Sequence, residues 1–181
     1  MQNKYIWLSV SIIFLMIMLF GNRKVRLFAI IKEQLHVFKN AKTKKKSFWD
    51  FTCFIVFPFL VSFIFAYKLD IIIDDDLASL LTTVFSIIFT VLFGFAAIMI
   101  SKIDSQNNIE KQVAEETFVS IVSSTILSLA AAILSIILTK TQSEMLSKLL
   151  SMGIISVSLI TTMLLLMITK RTFFLYVDNK D

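Results

Sequence analysis

The sequence predicts an all-α protein built as a polytopic transmembrane helical bundle, and three observations carry that prediction. Of its 181 residues 57% are apolar and 17% charged, whereas soluble chains hold roughly 45 to 50% apolar residues even with glycine counted. The apolar residues are gathered into unbroken runs close to the ~20 that cross about 30 Å of hydrocarbon. Three Gly and one Pro exclude collagen-like, linker-rich and disordered classes, which need the opposite composition. β-Barrel strands are excluded as well, because they alternate apolar and polar residues over about 10 positions. A single Cys and a single His permit neither an internal disulfide framework nor a zinc or haem cluster. The expectation is therefore a non-enzyme without a cofactor.

Five spans are expected, with four as the alternative count. The first, Tyr5 to Gly21, is the shortest. It also admits a signal-peptide reading, although Lys4 alone is a weak charged start and no A-x-A site comes after it. The second runs from Phe51 to Tyr67, extendable to Leu69. The third is Leu77 to Ser101, the fourth Phe118 to Thr139 and the fifth Leu149 to Thr169. These spans organise the chain as 1–21 a first transmembrane helix, 22–50 a basic amphipathic cytoplasmic segment, and 51–181 a four-helix bundle with short loops and a cytoplasmic tail.

Orientation comes from lysine and arginine placement. Arg23, Lys24, Arg26, Lys32, Lys39, Lys42, Lys44, Lys45 and Lys46 lie between the first two spans, and Lys102, Lys111, Lys170, Arg171 and Lys180 fall on the same side. Only Lys4, Lys68, Lys140 and Lys148 fall on the other. By the positive-inside rule the N-terminus is outside and the C-terminus cytoplasmic, a multi-pass arrangement.

Within the basic segment Leu27, Phe28, Ile31, Leu35 and Phe38 recur at helical spacing. That pattern predicts an amphipathic helix lying in the interface, or a cytoplasmic extension of the first span. Lys42 to Lys46 then precede Phe48 and Trp49, expected interfacial anchors. Attraction to anionic lipid of about 1 kcal/mol per basic residue holds such a segment to the leaflet. The sharper reading assigns Lys39, Lys42, Lys44, Lys45 and Lys46 to docking of an acidic cytosolic partner. Direct nucleic-acid binding is disfavoured, since no aromatic or glycine-rich RNA motif accompanies the lysines.

Asp74, Asp75 and Asp76 lack the alternating spacing and central glycine of a calcium loop, so they are expected to cap the third span. The polar stretch Ser101 to Thr117 is expected as a solvated loop, with helix continuing beyond the membrane as the alternative, and with Glu115, Glu116 and Thr117 at the start of the fourth helix, where acids suit the macrodipole. Pro58, midway along the second span, is expected to kink it. Cys53 reads as a small apolar filler in preference to a redox or lipidation site.

No ionisable residue falls near the centre of any span, which argues against proton-coupled pumps, voltage sensors and ion-driven transporters. Small and hydroxyl residues form stripes instead: Thr82, Ser86, Thr90 and Gly94 in the third span; Thr117, Ser120, Ser124, Ser128, Ala131, Ser135 and Thr139 in the fourth; Ser147, Ser151, Ser158, Thr162 and Thr169 in the fifth. Ser86, Thr90, Gly94, Ser124, Ser128 and Ser135 are thus expected at helix-packing or oligomer interfaces, the usual use of such residues in membranes. The competing reading lines a narrow pore with the same hydroxyls.

Phe48, Trp49, Asp50 and Phe51 leading into Phe57 and Pro58, the Asp74 to Leu77 run, and Glu115 to Phe118 resemble small bacterial multi-span proteins encoded beside phage-defence genes, most of all the membrane component of the Kiwa system, KwaA. The resemblance covers Phe48 to Thr139, carries no catalytic signature, and departs in span number, four being usual there. It implies an inner-membrane homo-oligomer that detects infection and works with a cytosolic partner from the same operon. The leading functional expectation is accordingly a non-enzymatic antiviral-defence membrane protein. The alternative is a pore-forming or depolarising effector, and a third reading is an accessory transporter subunit.

Overall fold

The computed structural model describes residues 10, 14, 17, 27–37, 48–103 and 108–177, the side chains of 101, 102, 108–110 and 174–177 excepted. The described residues are helical apart from short turns. They form α1 (Leu27–Val37), α2 (Phe48–Lys68), α3 (Asp75–Ile103), α4 (Asn108–Leu138) and α5 (Glu144–Val177). Four of these, α2 to α5, are long and apolar enough to cross a membrane. The expected first span, Tyr5 to Gly21, lies outside the described residues except for single positions.

Helix α4 sits at the centre, with α3 on one side, α5 on another and α1 against it, while α2 packs on α5. Its side chains give the reason. Ala114, Thr117, Ile121, Ser124, Ser128, Ala131, Ser135 and Leu138 alternate spacings of three and four, and all are buried. That 3.5-residue average forms a continuous seam along the helix. The facing seam of α3 is Ala78, Phe85, Leu92 and Met99, buried at strict seven-residue intervals. Large meets small across it: Phe85 packs with Ala131 and Ala132, and Leu92 and Met99 pack with Ile121 and Ile168. Water supplies no hydrophobic drive between helices in lipid, so this close approach works through dispersion.

Glu116 with Arg171, Ile121 with Ile168, Ala131 with Val157 and Leu134 with Gly153 mark an antiparallel register of α4 with α5. In that register Thr161 falls level with Ser124 and Ser128.

Helix α2 widens into π-helical turns at Thr52–Val56 and Ile64–Lys68. The first lies just ahead of Pro58, and Phe57 N–H donates to Thr52 O, five residues back. The π turn is thus the local response to a residue that has no N–H to donate and whose ring crowds the preceding turn. Against α5 this helix buries Pro58, Ser62 and Ala66, four residues apart. Most of its other side chains, including Phe57, Phe59, Phe63 and Phe65, are exposed and suited to lipid.

The connection from α2 to α3 is tied down residue by residue. Asp70 adopts φ 53°, a left-handed geometry that Asp tolerates better than most residues. Leu69 N–H and Ile71 N–H donate to Ile64 O and Phe65 O at 3.0 Å. Asp70 accepts from Lys148 Nζ at 2.9 Å, and Ile73 N–H donates to the buried Ser151 Oγ at 3.1 Å. Asp74 Oδ1 then accepts Leu77 N–H at 2.8 Å, the N-cap of α3, with Asp75 and Asp76 in its first turn.

Helices α3 and α4 run to Ile103 and from Asn108, so most of Ser101 to Thr117 is helix, as its alternative reading has it, and the default reading of a solvated loop is corrected. Glu115 to Thr117 consequently lie well inside α4, beyond the first turn where the macrodipole acts, and Glu116 is held by Arg171 instead. Helix α1 packs on α4, burying Gln34 between half-buried Leu27, Ile30 and Val37, because positions 27, 30, 34 and 37 share one helical face. Phe28 and Ile31, assigned to the apolar face, are exposed.

Candidate functional site

The lysines expected to dock a partner, Lys39, Lys42, Lys44, Lys45 and Lys46, lie outside the described residues, in the connection between Val37 and Phe48. Immediately beyond that connection Phe48 and Trp49 are exposed at the start of α2, and Trp49 meets Phe57 edge-on at 6.2 Å between ring centroids.

The six residues expected at packing or oligomer interfaces divide by helix. Ser124, Ser128 and Ser135 are buried within the chain, on the α4 seam. Ser128 Oγ and Ser135 Oγ donate to Thr125 O and Ala131 O, both at 2.9 Å. Ser124 Oγ, together with Ser123 Oγ and Thr161 Oγ1, is buried without a hydrogen-bond partner.

Ser86, Thr90 and Gly94 face outward. They belong to a longer exposed row on α3 that includes Ser79, Thr83 and Ala97, spaced by three or four. Its hydroxyls are satisfied within the helix: Ser79, Thr83, Ser86 and Thr90 donate to the carbonyls of Asp75, Ser79, Thr82 and Ser86 at 2.7–3.2 Å. A Cβ built on Gly94 would meet nothing within 4 Å. One helix therefore presents two seams. The Phe85 seam is occupied by α4, and the small-residue seam has no partner among the described residues of the chain.

Sequence reasoning named Pro58 for its backbone effect and missed Ser62 and Ala66, which share its buried face. Their four-residue spacing was the available signal. On α5 the expected hydroxyl stripe is displaced: Ser151, Ser156 and Thr161 are buried, whereas Thr162 and Thr169 are exposed.

Charged groups cluster at the two ends. At one end Lys148 bridges Asp70 at 2.9 Å and Glu144 at 3.0 Å. At the other, Arg171 Nη2 meets Glu116 Oε2 at 3.0 Å, with Arg171 Nη1 buried and unpartnered. Between α3 and α5, near this second end, runs an apolar groove of about 560 Å³ lined by Ile87, Val91, Phe95, Leu165, Thr169 and Phe173 among others. Among the described residues no group of His, Cys, Asp and Glu could hold a metal ion, and Cys53 is half-buried in the first π turn.

The chain matches no protein-family model, no curated protein sequence and no solved structure.

Proposed function

We propose that this is a non-enzymatic, multi-pass protein of a bacterial inner membrane that self-associates through α3 and recruits a cytosolic partner encoded in the same operon, in antiviral defence. The observation that carries self-association is the outward row Ser79, Thr83, Ser86, Thr90, Gly94 and Ala97. Small residues at such spacing let helix backbones approach closely in lipid, and the matching row of α4 is already used inside the chain. Recruitment rests on Lys39 and Lys42 to Lys46, placed by the positive-inside rule on the cytoplasmic face. The defence role rests on the resemblance to the Kiwa membrane component.

Two substitutions test the two halves separately. Gly94→Leu meets open space within the chain, so it should leave the monomer folded and reduce the oligomer mass measured in mild detergent. Changing Lys42, Lys44, Lys45 and Lys46 to Glu should abolish co-purification with the operon neighbour while the oligomer persists. An unchanged mass in the first case, or unchanged co-purification in the second, would remove that half of the reading.

The pore alternative draws on the same outward hydroxyls, now lining an axis shared by several copies. It requires that induction collapse the membrane potential and that Ser86→Leu or Thr90→Leu change conductance with the oligomer intact.

A further inference from the structure

We infer that α1 is a displaceable helix with two seats, one on α4 and one in the membrane interface, and that Gln34 sets the balance between them. Of the residues of α1 only Gln34 is buried, while Leu27, Ile30 and Val37 on the same face are half-buried. The seat on α4 thus encloses the polar side chain more fully than the aliphatic ones beside it. Neither the carboxamide nitrogen nor its oxygen has a hydrogen-bond partner. An amide buried in this way gives up its hydration and gains no bond in exchange. Leaving α4 returns both atoms to water.

The apolar side chains that α4 leaves uncovered point to the second seat. Phe28 is 67% exposed and Ile31 51%; with half-buried Leu35 they share a face about a quarter turn around the axis from Gln34 and its neighbours. Ala29, Lys32, Glu33 and His36, all exposed, take up the rest of the circumference. An apolar face on a short helix with charged residues opposite is the pattern of a helix that lies in the plane of the interface. There Phe28, Ile31 and Leu35 enter the acyl boundary, and Gln34, at the edge of that face, reaches headgroups and water. Four helices able to cross a membrane make a bilayer the molecule's own surroundings, so the second seat needs no further partner. Residues 38–47 separate α1 from α2 and span up to about 35 Å when extended, so α1 can change seats while Phe48 stays in place.

The test is double electron–electron resonance on the full-length chain in lipid nanodiscs, in a Cys53→Ser background. One nitroxide is carried by Ala29→Cys on α1 and the other by Lys111→Cys on α4 or, in a second pair, by Lys170→Cys on α5, three exposed positions. The otherwise unaltered chain should give two distance populations in at least one pair. Gln34→Leu removes the unpartnered amide and should raise the ratio of α4-seated to displaced helix by roughly fivefold. Ile31→Ser weakens the membrane seat alone and should raise the ratio as well. A single distance in both pairs overturns the two seats. A ratio unmoved or lowered by Gln34→Leu overturns the role of Gln34, and one unmoved by Ile31→Ser overturns the membrane as the second seat.

Discussion

Glu116 of α4 and Arg171 of α5 are joined at 3.0 Å across the central helix pair, with only 34% and 20% of their side chains exposed. The pair fixes the register of α4 with α5 at the end where both leave the apolar core. A charge-assisted hydrogen bond of this kind contributes about 1.5–3 kcal/mol, and solvent at its rim lowers that toward 1. Arg171→Gln and Glu116→Gln should each lower the thermal unfolding midpoint in detergent. The exchange Glu116→Arg with Arg171→Glu should recover most of the loss. No recovery in that exchange would mean that the pair's orientation, or another neighbour, matters more than its attraction.

Ser151 ties the loop before α3 to α5, accepting Ile73 N–H at 3.1 Å in a buried setting. Ser151→Ala leaves that amide without a partner, at a cost of about 1–3 kcal/mol. The expected signature is local: faster amide exchange at Ile73 and its neighbours, with exchange along the α4 seam unchanged.

Asp74 caps α3 through Leu77 N–H at 2.8 Å, whereas Asp75 and Asp76 stand in the first turn itself. Asp74→Ala should cost roughly 0.5–2 kcal/mol and Asp74→Asn much less, because Asn also caps. Alanine at Asp75 or Asp76 should fall below Asp74→Ala in the same unfolding measurement. A larger effect at either would transfer the capping role.

Ser124 separates packing from polarity. Its hydroxyl is fully buried without a partner, so Ser124→Ala removes a desolvated group and should be neutral or stabilising by about 1 kcal/mol. Ser124→Leu overfills the seam and should destabilise by about 1–3 kcal/mol. Parallel loss in both variants would show that the hydroxyl finds a partner in the membrane.

The α4 seam is legible in the sequence because small residues at spacings of three and four stand out in an apolar run, as Ser124, Ser128, Ala131 and Ser135 do. The opposing seam is not: Phe85, Leu92 and Met99 look like any lipid-facing residue until their seven-residue spacing is set against α4. Hydropathy reports where a helix meets lipid and not where it ends, so it starts α4 near Glu116 when the helix begins at Asn108. Ser62 and Ala66 escape notice because the phenylalanines around them dominate the pattern. In α3 the row through Ser86 and Gly94 is legible as a row; its outward direction needs the fold.

The outward row also constrains symmetry. Copies that obey one insertion rule share a direction through the membrane, so only rotations about its normal relate them. A row that meets its own counterpart makes a two-fold contact and stops at a pair. The largely exposed α2 packs on α5, and α3 packs on α4; a row that meets a neighbour's α2 instead makes a head-to-tail contact that closes only as a ring. Under the proposed self-association, the number of chains would report which helix Gly94 faces.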